Sequence, residues 1–116
     1  MTEEYQWGIY WADLDPTKGS EQAGTRPVLV ISVEEVNQPL PIVTVLSLTS
    51  VKPGRKIYPV EVLLSSTVTG LPQDSIAMAH QIRAIAKERL KERCGAIDSE
   101  EIKEQVRKAV RTYLDL

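Results

Sequence analysis

A small, highly curved β-sheet or barrel completed by a C-terminal helix is the architecture this sequence predicts. From Gly8 to about Ile85 the apolar runs are short, rich in β-branched residues and separated by turn chemistry. After Ala86 the period changes to that of a helix. The length of 116 residues, with 42% apolar and 26% charged residues, suits one globular domain over residues 1–116 and is wrong for disorder.

Each element follows from its own residues. Ile9, Trp11 and Leu14 flank polar Asp13 in a first strand. Val28–Val33 reads as a buried strand, Ile42–Leu48 as another and Ile57–Leu64 as a fourth. Ser75–Ile85 holds one long bent strand or two short ones. Asp15-Pro16, Gly19-Ser20, Pro39, Pro53-Gly54 and Thr69-Gly70-Leu71-Pro72 supply the turns. Strands this short at this spacing favour a curved sheet or barrel. Ala86–Arg93 alternates charge in a helical manner, with Gly95 placed where a helix C-terminus would need positive φ. Asp98-Ser99-Glu100-Glu101 sets an N-cap acceptor three residues before an acid, as a helix start does. Ile102, Val106, Ala109, Val110, Tyr113 and Leu114 then recur at spacings of three and four, one apolar stripe to lie across the sheet.

Composition excludes several functions. The formal charge is −2, so nucleic-acid binding must use a local patch. The single cysteine, Cys94, excludes an internal disulfide, and one histidine, His80, argues against a His-based metal centre. No apolar run approaches the ~20 residues of a membrane span, and acids stand where a signal peptide carries bases, so a soluble cytoplasmic protein is expected. Residues 51–83 form the one clearly basic third, with four bases (Lys52, Arg55, Lys56, Arg83) against two acids.

The segment from Asp13 to Ser32, DLDPTKGSEQAGTRPVLVIS, carries the most chemistry. About a dozen residues separate two strands, long for a hairpin in a compact domain, and they are loaded with hydrogen-bonding side chains. Arg26 precedes Pro27, which biases it to extended geometry at the mouth of the next strand.

These residues also resemble the signature of the MazF/PemK toxins, the ribonuclease halves of bacterial toxin–antitoxin pairs. The matching positions are Gly8, Asp13, Pro16, the block Gly19-Ser20-Glu21-Gln22, Gly24 and Arg26-Pro27 leading into an apolar strand. Leu46-Ser47-Leu48-Thr49-Ser50, Tyr58-Pro59-Val60-Glu61-Val62, Asp74-Ser75 and Gln81-Ile82-Arg83-Ala84-Ile85 also fit. The likeness covers about residues 5–93; the last helix matches in pattern alone. It implies an SH3-like small barrel, the fold of MazF, PemK and CcdB proteins, with a C-terminal helix and a symmetric homodimer. It also implies metal-free, sequence-specific cleavage of single-stranded RNA and no cofactor. The catalytic pair would be Arg26 and Thr49, with Ser20 and Glu21 in the same site. A cognate MazE-like antitoxin with an acidic tail would occupy the RNA groove.

The chemistry gives these residues distinct tasks. Metal-free cleavage requires removal of the 2′-OH proton, stabilisation of a pentacoordinate phosphorane and protonation of the departing 5′-oxygen, leaving 2′,3′-cyclic phosphate and 5′-OH ends. The planar fork of Arg26 suits the second task, and it can donate to the leaving oxygen, but a guanidinium has no lone pair to take a proton and is disqualified as a base. Thr49 orients and hydrogen-bonds the phosphate. Glu21 is the base candidate, provided partial burial moves its pKa toward working pH. Lys18, Lys52, Arg55 and Lys56 would line a phosphate track, with Ser20, Gln22 and Gln81 reading base edges.

Plainer roles compete for several residues. His80 reads as packed or surface, and Tyr5, Trp7, Tyr10 and Trp11 as core or dimer packing more than base-stacking platforms. Cys94 reads as a small core residue, the bases of the last helix as a solvated face, and Glu21 as a turn cap. Two other functions share the barrel: a non-enzymatic gyrase-binding toxin of the CcdB kind, which needs neither Arg26 nor Thr49, and an SH3-like interaction module, which would show an exposed aromatic groove.

Overall fold

Six antiparallel strands form one sheet in the computed structural model, which describes residues 4–15, 18–21 and 24–116. The strands are β1 (Gly8–Asp13), β2 (Thr25–Val30), β3 (Ile42–Ser50), β4 (Glu61–Leu64), β5 (Ser75–Ala86) and β6 (Leu90–Ala96), in spatial order β4-β5-β3-β2-β1-β6. Two single-turn helices, α1 (Glu34–Asn37) and α2 (Ser66–Thr69), interrupt them, and α3 (Glu100–Leu114) ends the chain.

Alternation along the strands sends apolar side chains to both faces. One cluster gathers Ile9, Leu29, Leu46, Leu48, Val62, Leu64, Ala77, Ala79 and Ile97 beneath Val106 and Ala109 of α3. The sheet curls far enough for β1 and the opposite edge strand β4 to share this cluster. A second cluster on the other face holds Tyr10, Ala12, Leu14, Val28, Val30, Val43, Val45 and Ile85. The edge strands β4 and β6 are not paired with each other among the described residues. Helix α3 packs on β4 and β5, and α2 on β6.

The bend anticipated within Ser75–Ile85 is an irregularity in one continuous strand. β5 pairs with β3 through Met78↔Ser47 and again through Arg83↔Val45, so β5 spans its interval with three more residues than β3 does. An odd insertion reverses which residues face which side. Ala77 and Ala79 therefore join the first cluster and Ile85 the second.

Three sequence expectations need correction. Ala86–Arg93 is not an α-helix: a 3₁₀ turn at Lys87–Arg89 leads into β6, which takes its hydrogen bonds from β1. The fourth strand begins at Glu61, not Ile57, because residues 51–60 form a loop. The second strand runs Thr25–Val30, since the chain turns into α1 after Ser32. Helix α3 forms where the period placed it, but its cap is Ser99, one residue beyond the Asp98–Glu101 spacing: the Ser99 Oγ accepts from the Ile102 N–H at 3.3 Å. Trp7 helps dock it: its indole is buried beneath the Lys103 ammonium and the Arg107 guanidinium, 5.7 and 5.3 Å from the ring centre.

Gly95 is a point of close approach, not a helix cap. A Cβ there would lie 2.5 Å from the Thr69 carbonyl oxygen, a main-chain atom that cannot turn aside. Gly95→Ala should therefore destabilise the protein by about 1–3 kcal/mol, read as a lower chemical-denaturation midpoint, whereas alanine at exposed Glu92 of the same strand should change it by less than about 0.5 kcal/mol.

Candidate active site

The long loop after β1 has a fixed stem. The Leu14 N–H donates to the Gly24 carbonyl at 3.0 Å, and the Gly24 N–H donates to Asp15 Oδ1 at 3.0 Å. Gly24 holds φ at +75°, a conformation costly for other residues. From outside the loop, Arg83 donates to the Leu14 carbonyl at 3.2 Å, and Arg89 to the carbonyls of Asp13 and Asp15 at 3.1 and 2.6 Å. Arg83, part of the basic middle stretch, thus braces the stem. Arg89 does the same, and sequence reasoning missed it because its acceptors are backbone atoms more than 70 residues away.

β2 and β3 pair at Val28↔Ser47, Leu29↔Leu46 and Val30↔Val45. Extending that register two residues toward the open end sets Arg26 against Thr49 on the same face. The ladder stops short of them, and a cleft of about 400 Å³ opens there. Its walls include Trp11, Arg26, Pro27, Thr49, Ser50 and Gln73. Arg26 and Thr49 are both half-buried, and Trp11 is 40% exposed. Trp11, which the sequence suits to core or dimer packing, is not in the core of this chain, and its ring offers an apolar surface at the cleft wall. A fork of donors, a hydroxyl and an indole in one concavity suit a phosphodiester flanked by planar bases.

A smaller recess of about 110 Å³ is lined by Glu21, Ser47, His80, Gln81, Ile82 and Arg83. The β5 irregularity delivers His80, Gln81 and Ile82 to it. Ser47 is fully buried there, and its Oγ has no hydrogen-bond partner among the described residues. Gln81 Nε2 donates to the Ser20 carbonyl at 3.2 Å, tying the loop to β5. Exposed Glu21 lines this recess and not the cleft; its carboxylate accepts from the Lys18 N–H, and its own N–H donates to the Lys18 carbonyl at 3.1 Å. The turn-capping role is thus present, and the expected partial burial is not. Lys18 and Ser20 are exposed on the same loop, and Gln22 lies outside the described residues.

The basic loop 51–60 leaves the cleft wall directly after Ser50. The Pro53-Gly54 turn has φ +78° at Gly54 and is closed by the Arg55 N–H donating to the Lys52 carbonyl at 3.0 Å. Lys52 and Lys56 are exposed. Arg55 is committed differently: Nη2 and Nη1 reach Glu61 Oε2 and Oε1 at 2.7 and 3.1 Å, an interaction with no clear signal in the sequence. The Glu61 side chain is 1% exposed. Burial works against its charge, but the Arg55 hydrogen bonds, the Tyr58 N–H, and the electrostatic attraction of Arg55 with a smaller one from His80 outweigh it and hold the carboxyl below its ordinary range. At half-buried Cys94, desolvation pushes the thiol up, in keeping with its packing role.

Comparison with known proteins places these features in a family. The family described as PemK-like, MazF-like toxins of type II toxin–antitoxin systems matches residues 5–114. The chain is 41% identical over 113 residues to the endoribonuclease MazF9 of Mycobacterium tuberculosis, covering 93% of each protein. It is 38% identical over 96 residues to the endoribonuclease MazF of Staphylococcus saprophyticus, covering 83% of this chain and 79% of the relative. Its fold is similar to that of an endoribonuclease from a mycobacterial species solved in complex with its cognate antitoxin, with a TM-score of 0.79, 21% identity, and coverage of 98% and 97% of the two chains.

Because the folded-state pKa of Glu61 is depressed, its ion pair stabilises the protein above the ordinary carboxylate pKa, and that contribution is lost as pH falls through the lowered value. Glu61→Gln should therefore narrow its stability deficit relative to wild type as pH is taken from 7 to 3, read by melting temperature at each pH. A deficit constant across that range would contradict the ion pair.

Proposed function

Because the chain belongs to the PemK/MazF family of type II toxins, we propose that residues 1–116 work as one toxin domain, a sequence-specific endoribonuclease cutting single-stranded RNA without a metal or other cofactor. The observation that carries this reading is the convergence of Arg26 and Thr49 on one cleft at the splayed end of β2 and β3.

In the reaction, Arg26 holds two non-bridging oxygens of the scissile phosphate, and its donors strengthen as charge builds on the phosphorane. Thr49 hydrogen-bonds the same phosphate and fixes its orientation. Glu21 takes the 2′-OH proton. Since its carboxylate rests on the Lys18 N–H, this role requires the loop to close over bound RNA. The 2′-oxygen attacks phosphorus as the bond to the 5′-oxygen breaks; that oxygen, hydrogen-bonded by Arg26, takes a proton from water while Glu21 returns its own to solvent, giving 2′,3′-cyclic phosphate and 5′-OH ends. Lys18, Lys52 and Lys56 track the backbone, so binding weakens with salt. The small recess suits a base edge, with Gln81 at its wall and the uncompensated Ser47 hydroxyl as a further polar group. Ser20 and Gln22 are the other candidate readers, on the first loop.

The protein works in the cytoplasm as a homodimer and is held in check by a MazE-like antitoxin with an acidic tail that occupies the RNA groove. Among the described residues no helix is long and apolar enough to cross a membrane. The gyrase-binding alternative leaves the Arg26–Thr49 pairing without a purpose.

Incubated with a long single-stranded RNA in EDTA, the protein should cut at discrete sites, and Arg26→Ala should lower kcat by about 10²–10³-fold with little change in melting temperature. Substituting 2′-deoxyribose at the cut nucleotide should block cleavage there. Undiminished cutting by Arg26→Ala would end the assignment. Glu21→Gln should flatten the acid limb of the pH–rate profile; wild-type rates across pH 5–9 would remove Glu21 as the base.

A further inference from the structure

Glu61 stands apart from every residue assigned so far. It is a buried acid at the first position of β4, and its whole hydrogen-bonding capacity is turned on the loop that precedes it. One oxygen accepts from Arg55 Nη2; the other accepts from Arg55 Nη1 and from the Tyr58 N–H at 3.0 Å. The Glu61 N–H donates back to the Tyr58 carbonyl at 2.9 Å, and Arg55 Nη1 also donates to the Lys56 carbonyl. The Tyr58 ring lies 5.9 Å from the Arg55 guanidinium and 5.4 Å from the Lys56 ammonium. At the other end of the loop, the Val51 N–H donates to the Asp74 carbonyl at 3.3 Å, between the cleft-lining residues Gln73 and Ser75. The segment is therefore fastened at both ends, and among the described residues Glu61 is the one buried charge bonded to it.

We infer that Glu61, acting through Arg55, is a positioning residue that sets which RNA sequences are cut, by holding Lys52, Lys56 and the exposed Tyr58 in one arrangement beside the cleft. Arg55 serves as the strut between loop and sheet, so its role differs from that of the phosphate-facing lysines. A bidentate fork defines an angle as well as a distance, whereas an ammonium defines only a distance, so lysine cannot replace arginine here. A loop free to sample several shapes would present its lysines to many sequences and hold none as well, raising KM and widening the set of sites while leaving Arg26 and Thr49 to perform the chemistry.

The inference rests on the ribonuclease reading, so its test has one arm that needs no RNA. Wild type, Glu61→Gln and Arg55→Lys are compared by mapping cut sites on one long RNA, by kcat and KM on a short substrate, and by amide hydrogen exchange. Both variants keep all of Lys18, Lys52 and Lys56. The expected result is a KM about ten-fold higher with kcat within about two-fold, at least twice as many cut sites, and loss of protection at the Tyr58 amide. Arg55→Lys keeps the positive charge, so wild-type KM and cut sites in that variant would overturn the inference in favour of a simple phosphate contact. Loss of Tyr58 protection in Glu61→Gln with an unchanged cut pattern would overturn it as well. If Glu61→Gln shows no cooperative melting, Arg55→Lys decides alone. If wild type cuts no RNA, the ribonuclease reading falls, and Tyr58 exchange shows separately whether the clamp exists.

Discussion

The antiparallel register between β2 and β3 is the constraint on which the site depends. Three paired positions, from Val30↔Val45 to Val28↔Ser47, lie in the core and have no freedom to slip, because a shift of one residue would carry Val28 and Val30 to the wrong face. That rigidity continues two residues outward, to where the strands no longer pair and Arg26 and Thr49 share a face. Packing of aliphatic side chains thus fixes the placement of two polar ones, and the separation of the strands provides room between them. Proline at position 27 has no N–H to give and stiffens the last step before the arginine.

Around this fixed pair, the adaptable parts are held by polar and charged side chains. Arg83 and Arg89 grip the stem of the first loop, Gln81 ties its tip to β5, and Glu61 grips the second loop through Arg55. The three extra residues of β5 carry His80, Gln81 and Ile82 into the recess beside the first loop. A bulge next to a functional cleft re-aims side chains without disturbing the sheet on either side.

Much of this is legible in the sequence alone. The stripe from Ile102 to Val110 could only be a helix with one face buried, and the runs at Val28, Ile42 and Ser75 could only be strands. Arg26 and Thr49 were legible through family resemblance, and Trp11 was visible as a residue but not as part of the cleft. Ala86–Arg93 misled because alternating charge looks the same on a helix and on an edge strand; pairing with β1 decided the outcome, and tertiary hydrogen bonding overrode local preference. The partnership of Glu61 with Arg55 was hidden for another reason. An acid in a four-residue strand looks like a surface residue unless it is known which side chain folds back over it.

The edges of the sheet carry one last consequence. β4 is four residues long and covered by α3, and β6 carries Lys91, Glu92 and Arg93 in succession on an exposed rim. Short or charged borders of this kind give a stray strand little to add to, which keeps copies of the chain from zipping together. These two inhospitable margins leave the sheet closed to recruitment at either border.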